Sequence, residues 1–104
     1  MQLRKNAKVE MLRRVPLFSQ CSKKELEEVA SVADEVSLAD GRVLIREGER
    51  GREFFVVVDG ELVVRRKSRK IATMRDGGFV GEMSLVLDRP RNATVTAEGP
   101  VRAL

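Results

Sequence analysis

The sequence predicts a mostly β domain with flanking helices: an antiparallel β-roll of the jelly-roll kind, with an N-terminal helical pair and one short internal helix. Three observations carry this. Asp40-Gly41, Asp59-Gly60 and Asp76-Gly77 punctuate the chain nineteen and seventeen residues apart, and such dipeptides accept the backbone angles that tight turns demand. Between and around them lie short β-rich runs: Glu35–Leu38, Arg42–Arg46, Glu53–Val58, Glu61–Arg66, Lys70–Arg75, Arg91–Ala97 and Val101 to the end. Before Glu35 the apolar residues recur at helical spacing instead. Many short strands with regular turns suit an antiparallel barrel or jelly roll.

The helices come first. Leu3, Ala7, Met11 and Val15 recur every fourth residue from Met1 to Val15, while Arg4, Lys5, Lys8, Arg13 and Arg14 lie mostly elsewhere, the pattern of a basic amphipathic helix. A helix packed on the domain with a solvated basic face is expected, rather than one docked on a partner or an anionic membrane. Pro16 ends it, and Leu17 and Phe18 form an apolar anchor before the next helix. Ser22 followed by Glu25 is a capping box, each side chain satisfying the other's backbone N–H. The second stripe is Leu26, Val29, Ala30 and Ala33. Cys21 reads as a small filler, because nothing beside it in sequence would activate a thiol.

In the β-rich part, Glu47–Gly51 reads as a loop. Phe54–Val58 is a continuous apolar run of five residues flanked by Gly51 and Gly60; its length and flanks favour a strand buried on both faces over a short buried helix.

At 104 residues the chain is expected to be one domain, 1–104, with helices over 1–33 and the roll over 35–104. Hydrophobic residues are 42% and charged residues 35%, the balance of a soluble globular protein. No apolar run approaches membrane-spanning length and Met1–Lys8 lacks the apolar centre of a secretory signal, so a cytoplasmic setting is expected. The lone Cys21 allows no internal disulfide, and the absence of histidine removes imidazole chemistry and histidine-held metals. With no tyrosine, no nucleophile paired with a base and no Walker-type loop, no enzyme activity, metal or cofactor is expected. The net charge of +4 comes with only four phenylalanines as aromatics and without a DNA-reading motif, so direct contact with nucleic acid is not expected.

The stretch with chemistry in it is Phe79–Ala97. In an extended chain Arg91, Ala93, Val95 and Ala97 share one side, and Asn92, Thr94 and Thr96 the other. The first side is the apolar one, so an arginine begins the buried face. A guanidinium cannot shed its charge, and leaving it dry without a counter-ion costs several kcal/mol. Its anion is either Glu82 or a guest. Gly81 allows close backbone approach, and a turn from Glu82 to Leu87 would aim N–H groups and the positive end of its dipole outward. Phosphate suits such a row of amides together with a guanidinium fork.

Gly81, Glu82, the apolar residues around Ser84, then Leu85, Pro90, Arg91 and Ala93 closely resemble the phosphate-binding cassette of cyclic nucleotide-binding domains, here spanning 79–93. Such domains occur in protein kinase A regulatory subunits, catabolite activator proteins and cyclic nucleotide-gated channels. Ile45, Glu47, Gly48, Phe54-Phe55 and Asp59-Gly60 resemble the front half of the same family, so the likeness covers nearly the whole chain. It implies that Arg91 pairs with the exocyclic phosphate oxygens, that Glu82 accepts from the ribose 2′-hydroxyl, and that Gly81, Met83 and Ser84 present backbone N–H groups. Asn92 and Ala93 complete the implied ligand set. Asn92 stands where cyclic GMP-preferring members often carry threonine or serine, which favours cyclic AMP and leaves cyclic GMP open. Leu85 and Leu87 read as core. The resemblance further implies that ligand binding shifts the helices and so reaches an effector outside this chain, with a membrane involved only if the parent protein is a channel. Members continue into a further strand and a long closing helix; the sequence stops at Leu104, so the lid helix is expected to be absent. The alternative is a scaffold domain that keeps the fold without nucleotide, Glu82 and Arg91 forming a structural salt bridge. That alternative explains less well the glycine before the carboxylate.

Overall fold

Two layers follow from the change of period at Glu35. The computed structural model describes residues 3–51, 53–81 and 90–104. The helical layer holds α1 (Lys5–Arg13), a 3-10 turn (Pro16–Phe18) and α2 (Lys23–Val32). Strands β1 (Val36–Leu38), β2 (Val43–Ile45), β3 (Phe55–Arg66), β4 (Arg69–Met74), β5 (Phe79–Val80) and β6 (Thr94–Ala103) form the other.

Helix α2 begins where the capping box requires. Ser22 Oγ accepts from the Glu25 N–H at 3.1 Å, and Glu25 Oε1 accepts from the Ser22 N–H at 2.9 Å. The bond from the Ser22 backbone, followed by that with its side chain, holds the Glu25 carboxyl below its ordinary value. This half of the box is therefore present at neutral pH and lost as pH falls through the lowered value. The stripe prediction for α2 holds at its centre, Leu26 and Ala30 being 0% and 2% exposed.

For α1 the stripe needs correction. The buried residues are Val9 and Leu12, followed by Val15, while Leu3 and Met11 pack only at the edge. A repeat of four residues drifts about 40° per step around a 3.6-residue helix, so Leu3 to Val15 cannot stay aimed at one partner. Val9, Leu12, Val15, Leu26, Ala30, Val56 and Leu104 make one core cluster. Leu17, Phe18 and Cys21 pack against it as anchor and filler, and the Phe18 ring meets Phe54 edge-on at 5.7 Å.

The sheet is antiparallel and runs β1-β6-β3-β4, with β2 also on β6 and β5 on β3. This is the β-roll expected from the sequence, and its hydrogen-bonded path does not close on itself among the described residues. Phe54–Val58 does face two ways. Val56 joins the helical cluster, and Val57 joins the second cluster, inside the roll, with Ile45, Leu62, Val64, Val80, Ala93, Val95, Ala97 and Val101. Both are 0% exposed, as an alternating strand between two apolar layers requires.

Asp40-Gly41 and Asp76-Gly77 sit in turns, but Asp59-Gly60 does not. It lies inside β3, which runs unbroken for 12 residues. Opposite it the ladder to β6 shifts register on either side of Asp59, so the dipeptide forms an irregularity that bends the strand rather than ending it. The two expected strands Arg91–Ala97 and Val101 onward likewise merge into β6, through Gly99-Pro100. Local turn chemistry was overruled by the long partner strand. The turn between β3 and β4 is instead Lys67-Ser68, with φ of 51° and 67° and no glycine. Strand β5 carries no signal of its own in two residues; pairing to Phe55 and Val56 defines it.

Gly60 has φ +105°, and a Cβ there would stand 2.6 Å from the Pro100 carbonyl oxygen and 3.1 Å from the Val101 Cα. Both neighbours are backbone and cannot step aside. Gly60→Ala is therefore expected to cost about 1–3 kcal/mol from the backbone angle, with the clash added; urea denaturation reads it, and an unchanged midpoint would refute the account. No helix among the described residues is long and apolar enough to cross a membrane.

Candidate functional site

The alternation predicted from Arg91 is present in space. Arg91, Ala93, Val95 and Ala97 are 9%, 7%, 3% and 2% exposed, while Asn92 lies in solvent. The strand ladder starts only at Thr94, so Arg91, Asn92 and Ala93 are its lead-in rather than its first rungs.

That lead-in is clamped by the loop at Glu47–Gly51. Arg91 N–H donates to the Glu49 carbonyl, and the Arg91 carbonyl accepts from Gly48 N–H, both at 2.8 Å. Thr94 Oγ1 accepts from Glu47 N–H at 3.0 Å. The backbone bearing the buried arginine is thus held before its side chain engages anything.

The guanidinium has found an anion that neither sequence alternative named. Nη2 donates to the Glu53 backbone carbonyl at 2.6 Å and to Glu53 Oε2 at 3.2 Å. Glu53 stands 38 residues upstream at the start of a run that reads as strand, where a charged residue looks like solvated surface. Its carbonyl has no sequence signature at all. The two sides of this pair are unequal, with side-chain exposures of 7% for Arg91 and 70% for Glu53.

Two glycines make room around the pair. Gly81 has φ +86°, and a Cβ there would meet the Glu53 carbonyl oxygen at 2.6 Å and Arg91 Nη1 at 3.0 Å. A Cβ on Gly51 would meet Glu53 Oε2 at 2.7 Å and Arg91 Nη2 at 3.2 Å. Gly81 therefore stands where close backbone approach was expected of it. Gly51 was missed; its position two residues before Glu53 became meaningful only once Glu53 was seen against Arg91.

Of the residues singled out in the sequence, the structure brings Gly81 to Arg91, buries Ala93 beside it on the inward side and leaves Asn92 outside, its carbonyl accepting from Arg66 Nε at 3.0 Å. Glu82, Met83 and Ser84, with Leu85, Leu87 and the short helix expected there, lie outside the described residues. Among the described residues no cluster of Cys, Asp or Glu could hold a metal ion. A cleft of about 420 Å³ lined by Ser37, Asp59, Pro100 and their neighbours includes none of the residues around Arg91. Chemically, the arrangement offers one buried guanidinium fork, walled by glycine backbone, whose counter-ion is mostly in water.

A family model described as "Cyclic nucleotide-binding domain" matches residues 35–104. The cAMP-dependent protein kinase regulatory subunit of Dictyostelium discoideum is 32% identical over 98 residues, covering 86% of this chain and 30% of that protein. The corresponding subunit of Yarrowia lipolytica is 36% identical over 89 residues, covering 84% and 24%. Among solved structures, one described as "cAMP bound PfPKA-R (141-441)" is similar at a TM-score of 0.81 and 29% identity, over 95% of this chain and 35% of that one. The N-terminal domain of a transcriptional regulator from Streptomyces coelicolor A3(2) is similar at 0.80 and 34%, over 89% and 70%. This chain spans less than a third of the length of either regulatory subunit.

Proposed function

The chain belongs to the cyclic nucleotide-binding domain family, and on that premise we propose that it is a regulatory sensor whose ligand is cyclic AMP, with cyclic GMP second. The phosphate is received by Arg91 together with backbone N–H groups of Gly81, Met83 and Ser84; Glu82 takes the ribose 2′-hydroxyl, and Asn92 and Ala93 border the ligand. The observation that carries the proposal is the unequal ion pair. Arg91 is buried and backbone-clamped, whereas the Glu53 carboxylate opposite is largely hydrated. An exposed carboxylate contributes only about 0–1 kcal/mol to such a pair, so an incoming cyclic phosphodiester displaces it cheaply and gains charge-assisted bonds to the fork.

The same geometry supports a relay. Glu53 precedes Phe54, whose ring meets Phe18 between the two helices. A ligand that moves the Glu53 backbone changes the seat of the helical layer, and differential contacts of this kind are what a binding event can use to bias two states. The effector lies outside these 104 residues; the relatives' description as regulatory subunits of a kinase suggests a kinase catalytic partner.

A second reading rests on the same pair. If Arg91 and Glu53 are only a staple between the Phe79–Ala97 segment and the chain leading into β3, the domain is a scaffold that has kept the fold. Calorimetric titration with cyclic AMP, cyclic GMP and linear 5′-AMP separates the two. Saturable binding of a cyclic nucleotide, cyclic AMP tightest, is the expected result; absence of heat with both cyclic nucleotides at millimolar concentration would establish the staple.

A further inference from the structure

The nucleotide reading makes no use of the tip of the β3–β4 hairpin, Arg65-Arg66-Lys67-Ser68-Arg69-Lys70. Five of these six residues are cationic, and between Glu61 and Asp76 the chain carries no acidic residue. The sixth is a serine. Residues 66 to 70 are exposed, and Lys67 and Ser68 form the two-residue turn itself, with φ of 51° and 67°.

We propose that Ser68 is a phosphoacceptor for a basophilic serine kinase, recognised through Arg65 and Arg66 at the third and second positions before it. Kinases select substrates by charge pattern, and two arginines just upstream of an acceptor suit a cleft lined with carboxylates, each guanidinium offering a fork that lysine does not. In the reaction the Ser68 Oγ attacks the γ-phosphorus of ATP. The new Oγ–P bond forms as the bond from the bridging oxygen to the γ-phosphorus breaks, ADP leaves, and the hydroxyl proton passes to the kinase's base.

A kinase must draw the acceptor into an extended conformation, and here the fold contributes more than the motif does. Strand β4 is at the edge of the sheet. The β3–β4 register shifts between Val64 and Arg65, so the final rungs, Arg65 with Lys70 and Arg66 with Arg69, are separated from the regular ladder by an irregularity. Burial changes at the same place, Val64 being 9% exposed and residues 66 to 70 lying in solvent. Among the described residues two side-chain bonds hold the tip, Arg66 Nε to the Asn92 carbonyl at 3.0 Å and Lys67 N–H to Glu47 Oε1 at 2.9 Å. Both are exposed, where water replaces them at little net cost. The last rung, Arg66 with Arg69, can therefore open without disturbing the core, as hairpin tips with few buried contacts do, while half-buried Arg65 stays paired to Thr94 of β6. The product suits its surroundings as well. A phosphoserine carries a charge of about −1.5 to −2, which five neighbouring cations accommodate.

The test uses the folded 104-residue chain, Mg-ATP and the purified catalytic subunit of a basophilic serine kinase, with phosphopeptide mapping by mass spectrometry. One phosphate at Ser68, abolished by Ser68→Ala, is expected. Arg65→Ala with Arg66→Ala should slow labelling by roughly tenfold or more, since a bond to a charged group is worth that much in rate. Arg69→Ala with Lys70→Ala removes as much charge on the other side of the acceptor and should leave most of the rate. Circular dichroism confirms that each variant is folded. No label at Ser68, equal loss in both double variants, or labelling only of the urea-unfolded chain would each overturn the proposal.

Discussion

Arg91→Ala weakens cyclic nucleotide binding by about 2–5 kcal/mol, the range seen when one member of a buried, hydrogen-bonded charge pair is truncated, and leaves the roll folded. Both halves of this expectation come from the asymmetry of the site. The arginine side chain is 7% exposed and its backbone is tied to Gly48 and Glu49, so a ligand meets a guanidinium whose orientation is already set. The Glu53 carboxylate, at 70%, stays hydrated when its partner is removed, so the desolvation penalty that usually follows the loss of a buried charge partner is small for that group. Titration calorimetry gives the affinity and thermal melting the stability. A large fall in melting temperature with no change in affinity would mean that the arginine serves the fold alone. Arg91→Lys keeps the charge but loses the fork, and should fall between the two. Glu53→Gln refines the test, because a carboxylate that competes with the guest should, when neutralised, raise affinity by up to about fivefold, the equivalent of about 1 kcal/mol for a pair whose carboxylate lies in water.

Leu26→Ala is the substitution expected to cost most stability, about 2–5 kcal/mol as for other fully buried leucines. Leu26 is 0% exposed and shares its cluster with Val9, Leu12 and Val15 and with Val56 of β3. A cavity there therefore loosens both helices and their seat on the sheet. For a domain of this size each kcal/mol lowers the melting temperature by roughly 4–8 °C, and the whole stability of such domains is only about 5–15 kcal/mol. Urea denaturation measures the loss, with Val32→Ala on the same helix as a control at 78% exposure. Equal midpoints for the two variants would show that α2 does not rest on the roll as described.

Legibility in the sequence followed the range of the interaction. The capping box at Ser22 and Glu25 spans three residues and could be read directly. So could the inward side of Arg91, Ala93, Val95 and Ala97, because side chains alternate along any extended chain whatever pairs with it. The two-faced burial of Val56 and Val57 was legible because a run without polar residues has nothing to offer solvent. Asp59-Gly60 misled because the dipeptide states which backbone angles are easy, while the strand beside it decides whether those angles make a turn or a bend. Lys67-Ser68 gave no glycine signal, and its positive φ values are supported by the ladder that closes on either side.

The amino-acid order by itself determined where helices give way to strands, that Arg91 faces inward and the family to which the chain belongs, since each is written in spacings of a few residues. Only the tertiary structure decided the partner of that arginine, a carbonyl and a carboxylate of Glu53 brought across 38 residues of chain, and with it the reason for a glycine at position 51. A pairing at that separation depends on the register of strands built from everything between. A main-chain oxygen, moreover, is the same atom at every residue and becomes particular only by where the fold puts it.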